Sequence, residues 1–234
     1  MRRKGVCYDV GRELEGRSWR PDFRPGEVRR ELEIIAGDLH CTAVRICSAD
    51  SLLRAPATQD SLNEFLARAA AAVRPHFGGQ ITYCALLTEH VDWTGYDVAG
   101  FDLYRDKLIR RRFGRAVQVF RNKAGGRPLV IGEFGCCTYQ GAADRGGLGF
   151  DIIDHGGGQP HVDGDYVRDE AGQAREITEC LDIFEAGGAD IAFVHTFVQQ
   201  ASPWDATEHG TTYPDMPWEP KDSFRAVAAW NAAH

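Results

Sequence analysis

The sequence predicts an α/β fold, a TIM-barrel-like (β/α) barrel contracted to about six β-α units, and three observations carry that expectation. Short β-rich apolar runs alternate with longer segments of helical periodicity, the pattern of parallel strands joined by crossover helices. Pro128-Leu129-Val130-Ile131 leads into a glycine-flanked glutamate, Gly132-Glu133-Phe134-Gly135, and a strand apolar on both faces is a buried strand. The 234 residues, 43% of them hydrophobic, suffice for one sizeable core, so a single domain over 1–234 is expected.

The first strand is expected from Gly5 to Val10. A helix follows from Gly26 to Asp38, where Val28, Leu32, Ile34 and Ile35 mark an apolar face among arginines and glutamates. Ala43 to Cys47 reads as the second strand, and Asp60 to Arg74 as the second helix, with an N-cap signal at Asp60-Ser61 and a stop at Pro75. Ile81 to Leu87 and Ala99 to Tyr104 are the third and fourth strands. An arginine-rich helix then runs from Asp106 to Ala124 and ends in Gly125-Gly126. Leu129 to Glu133 is the fifth strand. Between 147 and 166 lies an insertion in which Phe150 to Asp154 and His161 to Tyr166 pair across Gly156-Gly157-Gly158, a hairpin placed to cover the strand ends. A helix from Asp169 to Ala186, a sixth strand from Ile191 to Phe197 and a closing helix from Asp222 to Ala233 complete the chain. A barrel of this type normally closes with eight units. Either two strands are too irregular to read, or the barrel is short and another element or another chain covers its gap.

Composition limits the partners. The 27 Lys and Arg against 34 Asp and Glu leave a formal charge of -7, which disfavours nucleic acid and anionic membrane and points to a small-molecule substrate. Met1-Arg2-Arg3-Lys4 leads into a strand and not into the apolar core of a signal peptide, and no apolar run approaches membrane-spanning length, so a cytoplasmic location is expected. The seven cysteines form an odd set without a C-x-x-C pair, which argues against a disulfide framework or zinc finger; most are read as small core residues, while for Cys136 and Cys137, which follow the glutamate motif, packing stands beside the alternative that one lines the site. No phosphate-cradling glycine motif is present, and the spacing of His155 and His161 fits no metal motif, so no cofactor is expected.

The chemistry is expected at the C-terminal strand ends. A carboxylate there loses its water and must be paired or catalytic, and in parallel barrels that end carries the active site. Glu133 is therefore the principal candidate, with a structural ion pair to an arginine as its alternative. Around it stand Asp9, Arg45, Glu89, Asp102, Tyr104, Tyr139 and His195. Asp102 and Tyr104, at i and i+2, face the same way. Arg45 either neutralises buried carboxylates or binds substrate, and His195 is a core or a catalytic histidine. Trp93, Trp204 and Trp218 follow strands and suit either packing or stacking on a sugar ring.

Leu129-Val130-Ile131-Gly132-Glu133-Phe134-Gly135 resembles the seventh strand of the clan-A glycoside hydrolases, retaining (β/α)8 enzymes in which that glutamate is the nucleophile. More closely, the chain resembles bacterial barrel proteins known as abortive infection proteins, through KGVCYDVGRE, DLHCTAVRI, VDWTGYDVAGFDLYRD, IGEFGCCTYQGAADRGG, DGDYVRDEAGQAREITECLDIFEAGGADIAFVHTF and YPDMPWEPKDSF. The resemblance implies that Glu133, Tyr104 and Arg45 match the clan-A nucleophile, its tyrosine partner and its strand-two arginine. It also implies that the third and fourth β-α units are missing between Ser48 and Gln59, and with them the glutamate that serves as acid/base. Retaining hydrolysis needs a second carboxylate about 5 to 5.5 Å away. Glu89 is the expected substitute, with Asp102 and Asp9 behind it. The expected function is a glycoside-hydrolase-like enzyme acting on a small glycoside or sugar-like metabolite. Two alternatives stand beside it: a cyclase, isomerase or lyase of specialised metabolism that uses the same acid/base groups, and a non-catalytic ligand-binding protein. A homodimer is expected, since a missing sector leaves strand edges and core open for a second chain to cover.

Overall fold

The structure is a computed structural model that describes residues 1–9, 13–14, 17–18, 25–47, 59–75, 78–86, 88–154, 161–197 and 212–234. Six strands form one sheet: β1 (Arg3–Asp9), β2 (Ala43–Cys47), β3 (Cys84–Ala85), β4 (Ala99–Asp102), β5 (Leu129–Phe134) and β6 (Ile191–Val194). Their spatial order is β2-β1-β6-β5-β4-β3, and every ladder is parallel. Consecutive strands are neighbours throughout, with one exception. β2 and β3 follow each other in the chain yet occupy opposite edges of the sheet. The sheet is thus an arc of a contracted α/β barrel, open among the described residues between β2 and β3. Residues 48–58, between those edges, lie outside the described residues.

Five helices pack against the arc: α1 (Pro25–Gly37), α2 (Gln59–Val73), α3 (Phe113–Lys123), α4 (Glu170–Ala186) and α5 (Asp222–Ala233). The buried face of α3 is Phe113, Val117 and Phe120 at helical spacing. Phe120 packs at 4.5 Å, its ring tilted, on Phe101 of β4, and Phe184 of α4 meets Phe134 of β5 edge-on at 4.9 Å. These aromatic contacts set the strands at fixed height against the outer helices. No described helix is long and apolar enough to cross a membrane.

Three elements differ from the sequence expectation. The helix expected from Asp106 begins only at Phe113, because Asp106 Oδ1 accepts the N–H groups of Leu108 (2.8 Å) and Ile109 (3.0 Å) and closes a separate turn before a short 3-10 segment, Arg110–Arg112. The third strand is a two-residue edge. Its continuation is cut off where the Glu89 carboxylate takes the Leu86 N–H at 2.7 Å in place of a neighbouring strand. In the insertion, Gly146–Ile152 coils as 3-10 helix, and only Ile153–Asp154 and His161–Val162 pair, antiparallel. Residues 155–160, with the glycine turn, lie outside the described residues.

Candidate active site

β5 is irregular at the glutamate. Ile131 pairs with Phe101 of β4 and Ala192 of β6, but the next partners are Asp102 with Glu133 and Val194 with Phe134, so both ladders slip by one residue at Gly132-Glu133. A β-bulge of this kind, uncommon in parallel sheets, re-aims the side chain that it carries. Gly132 is required for it. A Cβ at Gly132 would stand 2.2 Å from Cys84 Sγ and 2.7 Å from Asp102 Oδ1, and one at Gly135 would stand 2.5 Å from the His195 carbonyl oxygen. The two glycines of the motif therefore serve close approach of the neighbouring strands.

The bulge brings Glu133 among groups from four other strands' ends. Arg45 Nη1, from β2, donates to Glu133 Oε1 at 2.5 Å and to the Gly132 carbonyl at 3.2 Å. Tyr104 Oη, beyond β4, donates to Glu133 Oε2 at 3.3 Å. Cys7 of β1 donates to the same Gly132 carbonyl at 3.4 Å. His195 Nδ1, just past β6, lies 3.9 Å from Glu133 Oε1. Glu133 and His195 are 17% and 13% exposed and Arg45 28%, so the cluster is shielded but reachable from solvent. Asp102, the ladder partner of Glu133, extends from the adjacent strand.

The electrostatics follow from that crowding. Burial alone would lower the Arg45 pKa, but Cys84, Cys7, Asp102 and Glu133 around it outweigh burial and raise it, so the guanidinium stays charged. Burial, then the Glu133 charge, raises the Tyr104 phenol well above its ordinary value, which leaves it a proton donor at neutral pH. The Cys84 thiol is pushed up to about 12 by burial, against the pull of Arg45.

The insertion forms one wall. A Cβ at Gly147 would touch the Tyr104 ring at 3.3 Å, and Phe150 meets the His195 ring edge-on at 6.2 Å. Tyr139, expected to bind substrate, is instead buried with its hydroxyl donating to the Gly149 carbonyl at 3.0 Å, so it holds the insertion down. Trp93, read as either packing or a platform for a sugar ring, is buried edge-on against Phe101 at 5.4 Å. Trp218 donates to the buried Glu31 carboxylate at 3.1 Å. Glu89 accepts from Tyr83 Oη at 3.2 and 3.3 Å and from the Leu86 N–H. β1 ends at Asp9, opposite Cys47; the Asp9 side chain and all of Trp204 lie outside the described residues. Cys136 and Cys137 pack around Tyr139 and Ile152.

Two features were beyond sequence reading. Cys7 and Cys84 border the Glu133 cluster although nothing separates them in sequence from the core thiols Cys41 and Cys180. Next to Tyr104 in the chain, Arg105 forms with Glu176 a bidentate pair, only 6% and 5% exposed, at 2.5 and 2.6 Å, which Arg110 joins at 2.9 Å. Both arginines stand in the segment that the periodicity assigns to one continuous helix and its approach.

No protein-family model matches the chain, and no curated protein matches it in sequence. Solved structures do. A GH113 β-1,4-mannanase superposes with a TM-score of 0.64 at 10% identity, covering 100% of this chain and 99% of that one; another, determined as a complex, gives 0.55 at 15%, covering 95% and 66%. A β-glucuronidase from Ruminococcus gnavus gives 0.60 at 12% identity; the chain, 99% covered, spans 50% of its length. None of these matches repeats the resemblance to abortive infection proteins. At such identities the likeness is one of fold, and the chain shares with these structures an α/β-barrel fold.

Proposed function

We propose that the protein is a glycoside-hydrolase-like enzyme acting on a small glycoside or sugar-like metabolite, with Glu133 as nucleophile or base. The observation that carries the reading is the placement of Glu133 on a bulge at the C-terminal end of β5, with one oxygen held by Arg45 and the other by Tyr104. The Arg45 ion pair suits the carboxylate to act as an anion, and the Tyr104 phenol orients it without taking its charge. Asp102, Arg45 and His195 supply polar contacts for substrate hydroxyls.

The gap between β2 and β3 favours a second reading, a cyclase, isomerase or lyase that needs one carboxylate only. Both oxygens of Glu89 are engaged by Tyr83, and one also caps Leu86, whereas Asp102 is the ladder neighbour of Glu133. Glycosides of graded leaving-group ability separate the readings. Activated aryl glycosides are expected to be cleaved slowly and unactivated ones scarcely at all, because leaving-group protonation is the impaired step. Fast, pH-dependent cleavage of unactivated glycosides would establish a replacement acid; its loss in Glu89→Gln or in Asp102→Asn would identify which. Complete inertness toward activated glycosides would sink hydrolysis and leave the single-carboxylate reading.

The same gap motivates a homodimer in which each chain covers the open sector of the other. Val44 on β2 and Leu86 after β3 are exposed at the two edges, which suits such a contact. Light scattering over a dilution series is expected to give twice the 25.9 kDa chain mass; a folded monomer at every concentration refutes the pairing.

A further inference from the structure

Three unlike donor atoms meet at Glu133 that the chemistry above does not need together. Cys7 Sγ, a Glu133 carboxylate oxygen and a His195 ring nitrogen all lie within 4.8 Å of one another. They come from β1, β5 and the end of β6, which are adjacent in the sheet. His195 Nδ1 is buried and has no hydrogen-bond partner among the described residues. Its 3.9 Å separation from Glu133 Oε1 is too long for a hydrogen bond. Two ligands on one tetrahedral ion, each at about 2.0 to 2.1 Å, stand roughly 3.3 Å apart, so an ion would draw this pair together by only about half an ångström.

We propose that Cys7, Glu133 and His195 form a binding site for a thiophilic divalent cation of the zinc class, which competes with Arg45 for Glu133. Thiolate, imidazole and carboxylate are the donor set that zinc takes, whereas magnesium and calcium prefer oxygen alone. Arg45 Nη1 lies 2.5 Å from Glu133 Oε1 and 3.7 Å from Cys7 Sγ, so its positive charge stands where the ion would stand. The two cations exclude each other by repulsion. Asp102, within electrostatic range of Arg45, offers the displaced guanidinium another carboxylate. On binding, the Cys7 S–H bond breaks, its proton passes to solvent, and a sulfur–metal bond forms. The fourth position is left to water. Metal occupancy thereby removes Glu133 from chemistry, and the site exists whether or not Glu133 is catalytic.

Titration of the full chain with Co²⁺ reads the site without any substrate. The expected result is a near-ultraviolet thiolate-to-cobalt charge-transfer band that saturates at a single equivalent and is erased by Zn²⁺. Cys7→Ser removes the band. His195→Ala, which breaks no hydrogen bond at Nδ1, weakens Zn²⁺ binding tenfold or more, while Arg45→Met strengthens it. Absence of a saturable band in the unaltered chain, or a band that survives both Cys7→Ser and His195→Ala, overturns the site. Weaker Zn²⁺ binding in Arg45→Met overturns the competition.

Discussion

Glu133→Gln is expected to lower turnover of the natural substrate by a hundredfold or more while the chain stays folded. The amide keeps the size of the carboxylate, and its oxygen can still accept from Arg45 or Tyr104, which now hold the two carboxylate oxygens. It cannot attack carbon or take a proton. Loss of a nucleophile or general base costs on the order of a hundredfold or more in rate. The pair is partly exposed, so weakening it should cost the fold little. Turnover beside a thermal melt checks both halves. Near-unaltered turnover in a folded variant would mean that Glu133 serves only to neutralise Arg45.

Arg105→Met should cost the largest share of stability of any single change in the Arg105–Glu176–Arg110 network, about 3 to 5 kcal/mol. The variant leaves the buried Glu176 carboxylate with Arg110 at 2.9 Å and the weak Cys180 thiol donor at 3.8 Å, and withdraws two bonds of 2.5 and 2.6 Å. The pH dependence gives a second check. Burial pushes the Glu176 carboxyl up, but hydrogen bonds from Arg105 and Arg110 outweigh it and hold the folded-state value below the ordinary 4.5. A depressed carboxyl contributes stability above its unfolded value, and that contribution fades as pH falls through the lower folded value. Acid titration of denaturant stability should therefore show a steeper decline below pH 4.5 in the unaltered chain than in Arg105→Met. Equal stability of the two at neutral pH refutes the assignment.

Much of the fold was legible because its signals are local. The alternation of apolar runs and amphipathic segments located β2 at Ala43–Cys47 to the residue and α4 to within one residue of its start. Helix limits failed where a side chain diverted the backbone, as Asp106 does before Phe113. Trp93 and Tyr139 show a related limit. An aromatic residue after a strand looks the same whether its ring faces a ligand or the core, and here Phe101 and Gly149 take them up.

Sequence alone determined the parallel α/β class and the place of Glu133 after a buried strand. It also left the count at six β-α units, two short of the usual eight, since periodicity and chain length need no knowledge of distant partners. Tertiary structure alone decided that Gly132 and Glu133 form a bulge, that β2 and β3 lie at opposite edges, and that Arg45, Tyr104, Cys7 and His195 converge on one carboxylate. Those residues are separated by up to most of the chain, and only the parallel register of five strands brings their ends together, because each crossover helix returns the chain to start the next strand on the same side.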